Sequence, residues 1–183
     1  MENLHVSDNK RYLMKGSETF FWLADTGWLI FGNISEEEAY NYLKNRADKG
    51  FNVIQAVLVY STKELESVNK MYWGGADRIN DEEYWQHVER IIKMADKLGL
   101  YMALLPSWGS LLKNNLITSE NVLVYGRFLA ERLEKYSNII WVLGGDIKAD
   151  NYVEIYRKLG RYFKEKMPDK LITFHPFGRC ASS

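Results

Sequence analysis

The chain has 183 residues, with 24 basic and 24 acidic side chains and a formal net charge of zero. That length supports one domain with a real core, and the charge balance argues against a dedicated nucleic-acid binder, which shows a basic patch. No apolar run reaches the roughly 18 residues that a membrane span needs.

The start, Met1-Glu2-Asn3-Leu4, lacks the basic and apolar regions of a signal peptide. Cys180 is the single cysteine, so an internal disulfide and a cysteine-rich zinc site are excluded. A cytoplasmic location is the expectation. The aromatic share is 14%, with six Trp and twelve Tyr. Aromatic faces stack on sugar rings and carry polar handles; at helical spacing the same residues are packing groups.

In chain order, Leu4–Ser7 and Tyr12–Lys15 read as extended segments joined by the turn residues Asp8-Asn9-Lys10, a small hairpin. Phe20–Ala24 is an apolar strand leading into Asp25-Thr26-Gly27-Trp28. Ser35 with Glu38 forms a capping box that opens a helix whose apolar face is Ala39, Tyr42, Leu43 and Ala47. Gly50 ends it.

Phe51–Tyr60 is almost wholly apolar and reads as a strand buried on both faces. Residues 61–81 form a polar stretch carrying Tyr72-Trp73-Gly74-Gly75, of a length associated with binding loops. A helix from Glu82 to Leu98 places Tyr84, Trp85, Val88, Ile91, Ile92, Ala95 and Leu98 on one side. Leu100–Leu105 is a third strand and Pro106–Gly109 its loop. Then come a helix over Asn121–Tyr136, a strand over Asn138–Leu143, a helix over Asn151–Lys166 and a strand over Leu171–Phe174.

Strands alternating with helices in this way imply βαβ units, a parallel sheet and an α/β class. No Gly-x-Gly-x-x-Gly follows the first strand and no P-loop sequence occurs, so nucleotide readings lose their support. Five such strands make either an open sheet or the first part of a TIM-type barrel. Polar or aromatic residues follow every strand: Asp25 and Trp28, Tyr60, Trp108, Asp146, His175. Ligand groups spread over all the βα loops are the habit of a barrel, whose strand ends share one mouth. The expectation is an incomplete (β/α)8 TIM-type barrel of about five strands (20–183), preceded by the hairpin (1–19) at its opposite end. A complete barrel has about 250 residues.

The most telling group is Gly144-Gly145-Asp146, at the carboxyl end of Asn138–Leu143. The two glycines leave bare backbone that a ligand could approach, and Asp146 sits where barrels keep their chemistry. Its alternative is a structural Asp capping the helix near Asn151. Asp25 reads as a sugar-hydroxyl acceptor or as a loop cap. Trp28, Trp73 and Trp108 are candidate stacking platforms, whereas Trp141 lies within a strand and reads as packing. Gln55 is placed to reach a hydroxyl. His175 is placed to donate to a hydroxyl or tune a carboxylate, or to be an ordinary hydrogen-bonded residue. Arg179 is a candidate substrate contact. With His5 and His87 on other elements, no metal triad is visible and no cofactor is expected.

Phe21–Trp28, Asn45–Phe51 with Val53–Ala56, Gly99–Gly109, Tyr125-Gly126-Arg127, Asn138–Asp146 and Phe174-His175-Pro176 together resemble the apiosidase-like (β/α)8 glycoside hydrolases, glycoside hydrolase family 140. The motifs are collinear over nearly the whole chain. The resemblance implies a glycosidase acting on pectic oligosaccharides, with Asp146 as the acid/base residue. It also implies a nucleophilic glutamate on a later strand, beyond Ser183. Glycoside hydrolysis uses two carboxyl groups, about 5–5.5 Å apart for retention and about 6.5–9.5 Å for inversion. The acid is kept protonated by burial beside apolar groups. Asp25 is poorly placed to be the partner, since first and fourth strands lie far apart around a mouth of eight. The competing expectations are a non-catalytic carbohydrate-binding half-barrel and a self-associating one whose open sheet edges pair with a second copy.

Overall fold

The computed structural model describes residues 1–32, 34–60 and 82–178. Its first element is a three-stranded antiparallel sheet, β1 (Leu4–Val6), β2 (Leu13–Lys15) and β3 (Glu18–Phe20). The sequence indicated only the first two strands. The run Phe20–Ala24 is divided: Phe20 ends β3, pairing with Leu13, and the parallel sheet begins at β4 (Ala24–Thr26). The Asn52 side chain holds the link between them, accepting from Leu23 N–H at 2.9 Å and donating to the Phe21 carbonyl at 2.7 Å.

The main sheet is β4, β5 (Val53–Val57), β6 (Tyr101–Leu105), β7 (Ile139–Gly144) and β8 (Ile172–His175), all parallel and in chain order. The helices between them are α1 (Glu36–Asp48), α2 (Glu82–Lys97), α3 (Gly109–Lys113), α4 (Val122–Leu133) and α5 (Val153–Lys166), with a 3-10 turn at Ala149–Asn151. The capping box is present. Ser35 Oγ accepts from Glu38 N–H at 3.2 Å, and Glu38 Oε2 accepts from Ser35 N–H at 2.8 Å. Helix α3 had no sequence signal, since five residues are too few for a periodic pattern.

Side chains alternate along each strand between two apolar layers. Ile54, Ala56, Met102, Leu104, Ile139, Trp141 and Leu143 face the helices. Trp141 is fully buried and its ring lies 4.4 Å from that of Phe163. Val53, Val57, Tyr101, Ala103, Leu105, Ile140 and Val142 form the other layer, which the N-terminal sheet closes from below with Leu4 and Phe20. That double burial is why the strands read as unbroken apolar runs.

The lower end is tied by polar contacts. Tyr101 OH donates to the Glu2 carbonyl at 2.5 Å, and Phe20 meets the Tyr101 ring edge-on at 5.4 Å. Lys170 Nζ donates to Asn3 Oδ1 at 3.1 Å and to the Tyr136 carbonyl at 2.5 Å. Burial lowers the pKa of that lysine. The opposite, carboxyl end of the sheet is left to the βα loops. Among the described residues no helix is long and apolar enough to cross a membrane.

Candidate active site at the carboxyl ends of the strands

Five consecutive strands each send a side chain to one place above the inner layer. Trp28 follows β4, Gln55 lies on β5 with Tyr60 after it, Trp108 follows β6, Asp146 follows β7 and His175 ends β8. The register explains the convergence. Gln55 pairs with Thr26 and Ala103 on the inner face, and His175 pairs with Gly144.

His175 is the hub. Its Nε2 lies 3.3 Å from Asp146 Oδ1, and its Nδ1 lies 3.5 Å from Gln55 Nε2. The ring packs beside two indoles that are themselves in contact, with centroids 5.8 Å from Trp28 and 6.1 Å from Trp108. The two tryptophans are 5.2 Å apart, and Tyr60 stacks on Trp108 at 5.5 Å with planes 12° apart. The sequence places Tyr60 among the strand-end residues but assigns it no individual ligand role. Its position directly after a buried strand is the signal that marks it.

The two glycines have a different purpose from the one inferred from sequence. Gly144 and Gly145 have φ of +105° and +128°, a region that L side chains rarely adopt. A Cβ on Gly144 would lie 2.1 Å from the His175 carbonyl oxygen. A Cβ on Gly109 would lie 2.3 Å from the Gly145 carbonyl oxygen. Gly145 N–H also donates to the His175 carbonyl at 3.3 Å. The protein's own backbones, rather than a ligand, take up the bare surface. This close crossing of β7 and β8 brings Asp146 and His175 within reach of each other.

Asp146 itself has a left-handed backbone, φ +49°, which Asp tolerates better than most residues. It does not cap a helix: neither the 3-10 turn nor α5 has a side-chain cap at its N-terminus. The burial expected around a catalytic acid is not supplied by the described residues, since the Asp146 side chain is 57% exposed against 27% for His175.

Asp25 requires a correction. It is in register with Ile54, on the helix face of the sheet, so it points away from the group above. Its Oδ2 accepts from Tyr42 OH and Arg46 Nη1, both at 3.0 Å, and its Oδ1 accepts from Thr26 N–H at 2.9 Å. Burial raises the carboxyl pKa, but the hydrogen bonds from Thr26 and Tyr42 and the Arg46 charge outweigh it and leave it below the ordinary value. In this position Asp25 is an anchor for α1, and its loop-cap alternative describes the Thr26 contact. Trp73 and Arg179 lie outside the described residues. Among the described residues no cluster of three or more His, Cys, Asp or Glu side chains is arranged to hold a metal ion.

The model of the apiosidase-like catalytic domain matches residues 7–183. Among solved structures, a glycoside hydrolase family 5 protein from Bacteroides vulgatus is 34% identical with a TM-score of 0.87, over 97% of this chain and 40% of that one. A second structure described as a glycoside hydrolase is also 34% identical, with a TM-score of 0.85, over 98% of this chain and 42% of that one. An endo-1,4-beta-mannanase from Rhizomucor miehei, 11% identical, shares the fold alone with a TM-score of 0.74, over 100% of this chain and 64% of that one. No curated protein matches significantly. The chain spans about two-fifths of the length of the two more similar structures. Its α/β architecture is that of a partial TIM-type barrel.

Proposed function

The chain belongs to the apiosidase-like family, catalytic domain, and on that premise we propose that it is the acid/base-bearing part of a glycoside hydrolase acting on pectic oligosaccharides. One observation carries the reading. Among the described residues, Asp146 is the single carboxylate in a group of aromatic and hydrogen-bonding side chains drawn together at the strand ends. Trp28 and Trp108 offer faces for sugar rings, and Gln55 offers an amide to hydroxyls. Asp146 protonates the glycosidic oxygen as the second carboxylate displaces it from the anomeric carbon, and then takes a proton from the water that displaces that carboxylate in turn. Positioned acid catalysis of this kind contributes about 10²–10⁴-fold. The second carboxyl group comes from outside residues 1–183, and that further wall also supplies the burial that the acid needs.

The test is a chimera in which residues 1–183 replace the matching two-fifths of the Bacteroides vulgatus relative. Hydrolysis of pectic oligosaccharides that disappears in Asp146→Asn supports the proposal. Hydrolysis that survives the substitution removes Asp146 from the mechanism. A second reading is a non-catalytic carbohydrate-binding or self-associating half-barrel. It is favoured by β4 and β8, each paired on one side only among the described strands. Sugar binding by an inactive chimera selects the first form of it. A dimer in size-exclusion chromatography with light scattering selects the second.

A further inference from the structure

We propose that Gln55 is a positioning residue that sets the tautomer of His175 and thereby decides which oxygen of Asp146 carries the transferable proton. The inference rests on the acid/base reading of Asp146. It starts from a line of contacts across three strands: Gln55 Nε2 to His175 Nδ1, 3.5 Å, and His175 Nε2 to Asp146 Oδ1, 3.3 Å. An amide N–H can only donate, so it requires a bare Nδ1 lone pair. The neutral ring then carries its proton on Nε2 and donates it to Asp146 Oδ1. The indoles of Trp28 and Trp108 hold the ring in this line.

The consequence is chemical. With an N–H donor against Oδ1, that oxygen cannot also hold a proton pointing the same way. The acid proton therefore belongs on Oδ2, to which no hydrogen bond is made among the described residues. The opposite tautomer would present a lone pair to Asp146. It would trap the proton in an O–H···N contact, turned away from a leaving group. Gln55, on the second strand of the barrel sheet, guards against that state without touching Asp146.

The experiment is long-range proton–nitrogen NMR on the full chain with labelled histidine, at alkaline pH where imidazole is neutral. The chain has three histidines, and His175→Gln assigns the relevant signals. In the wild type the Nε2–H form of His175 is expected in about 25-fold excess, from two hydrogen bonds of ordinary net strength. Gln55→Leu lowers that excess about fivefold by removing the donor. Gln55→Glu places an acceptor at Nδ1, and Nδ1 gains a proton. A wild-type Nδ1–H ring overturns the proposal, as does an Nδ1 that stays bare in Gln55→Glu. The unchanged signals of His5 and His87 show that each variant is folded. A merely structural glutamine would leave the tautomer as it was. The readout needs no turnover, so the tautomer can stand where hydrolysis fails, and the two readings fall separately.

Discussion

Replacing Gly144 by alanine tests whether the crossing of β7 and β8 holds the site together. The added Cβ would sit 2.1 Å from the His175 carbonyl oxygen, where real Cβ atoms essentially never come within 3.0 Å. The two strand ends must separate by roughly 1 Å, and such overpacking costs about 1–3 kcal/mol. The φ of +105° adds a backbone penalty of about 1–2 kcal/mol for a residue with a side chain. Gly50 is the internal control: its φ is +84°, but a Cβ there meets nothing within 4 Å. Gly50→Ala therefore carries the backbone penalty alone. Urea denaturation should show Gly144→Ala less stable than Gly50→Ala by about 2 kcal/mol. In thermal scans that difference is about 4–8 °C for a domain of this size. Equal losses in the two variants would refute the collision and, with it, the account of how His175 is brought to Asp146.

Asp25→Ala leaves Tyr42 OH and Arg46 without their common acceptor and should destabilise by about 1–2 kcal/mol in chemical denaturation. Its oligosaccharide affinity should stay unchanged; a folded variant with lost affinity would contradict the outward orientation of Asp25. Hydrogen bonds from Arg132, Nη1 and Nη2 each at 2.7 Å, hold Glu82 at about 2 against an ordinary 4.5. A depressed folded value means that the unfolded chain binds more protons in that interval. The pair's stabilisation is thus complete above about pH 4.5 and lost as pH falls toward 2. Because Glu82 is exposed, the loss is below about 1 kcal/mol, and Arg132→Met should flatten that part of the stability–pH curve; an unaltered curve would contradict the pairing. Trp108→Ala should weaken sugar binding about tenfold in calorimetry, and unchanged affinity would remove Trp108 from the platform.

The parts of the fold visible in the sequence are those governed by local rules. Ser35 and Glu38 form the cap that their spacing implies, and the apolar positions of α2 from Trp85 to Ala95 are buried. The strand-end aromatics were visible because nothing in a polar loop requires them. What sequence could not show is set by distant pairs. Phe20 pairs with Leu13 and so leaves the run it adjoins. Asp25 faces α1 only because Ala24–Thr26 is in register with Val53–Gln55. Gly144 and Gly145 are needed by His175 and Gly109, far away in the chain. The link between Gln55 and His175 spans 120 positions, and no local pattern encodes it.

The central claim, that Asp146 delivers the proton to a leaving sugar oxygen, is tested most directly by leaving-group dependence. Hydrolysis by the chimeric barrel and its Asp146→Asn form is compared on unactivated oligosaccharides and on dinitrophenyl glycosides, whose leaving group needs no proton. In kcat/KM, which reports the bond-breaking step, the account predicts a loss of about 10²–10⁴-fold on the oligosaccharides and little loss on the activated glycoside. An equal loss on both substrates, or none on either, would contradict it.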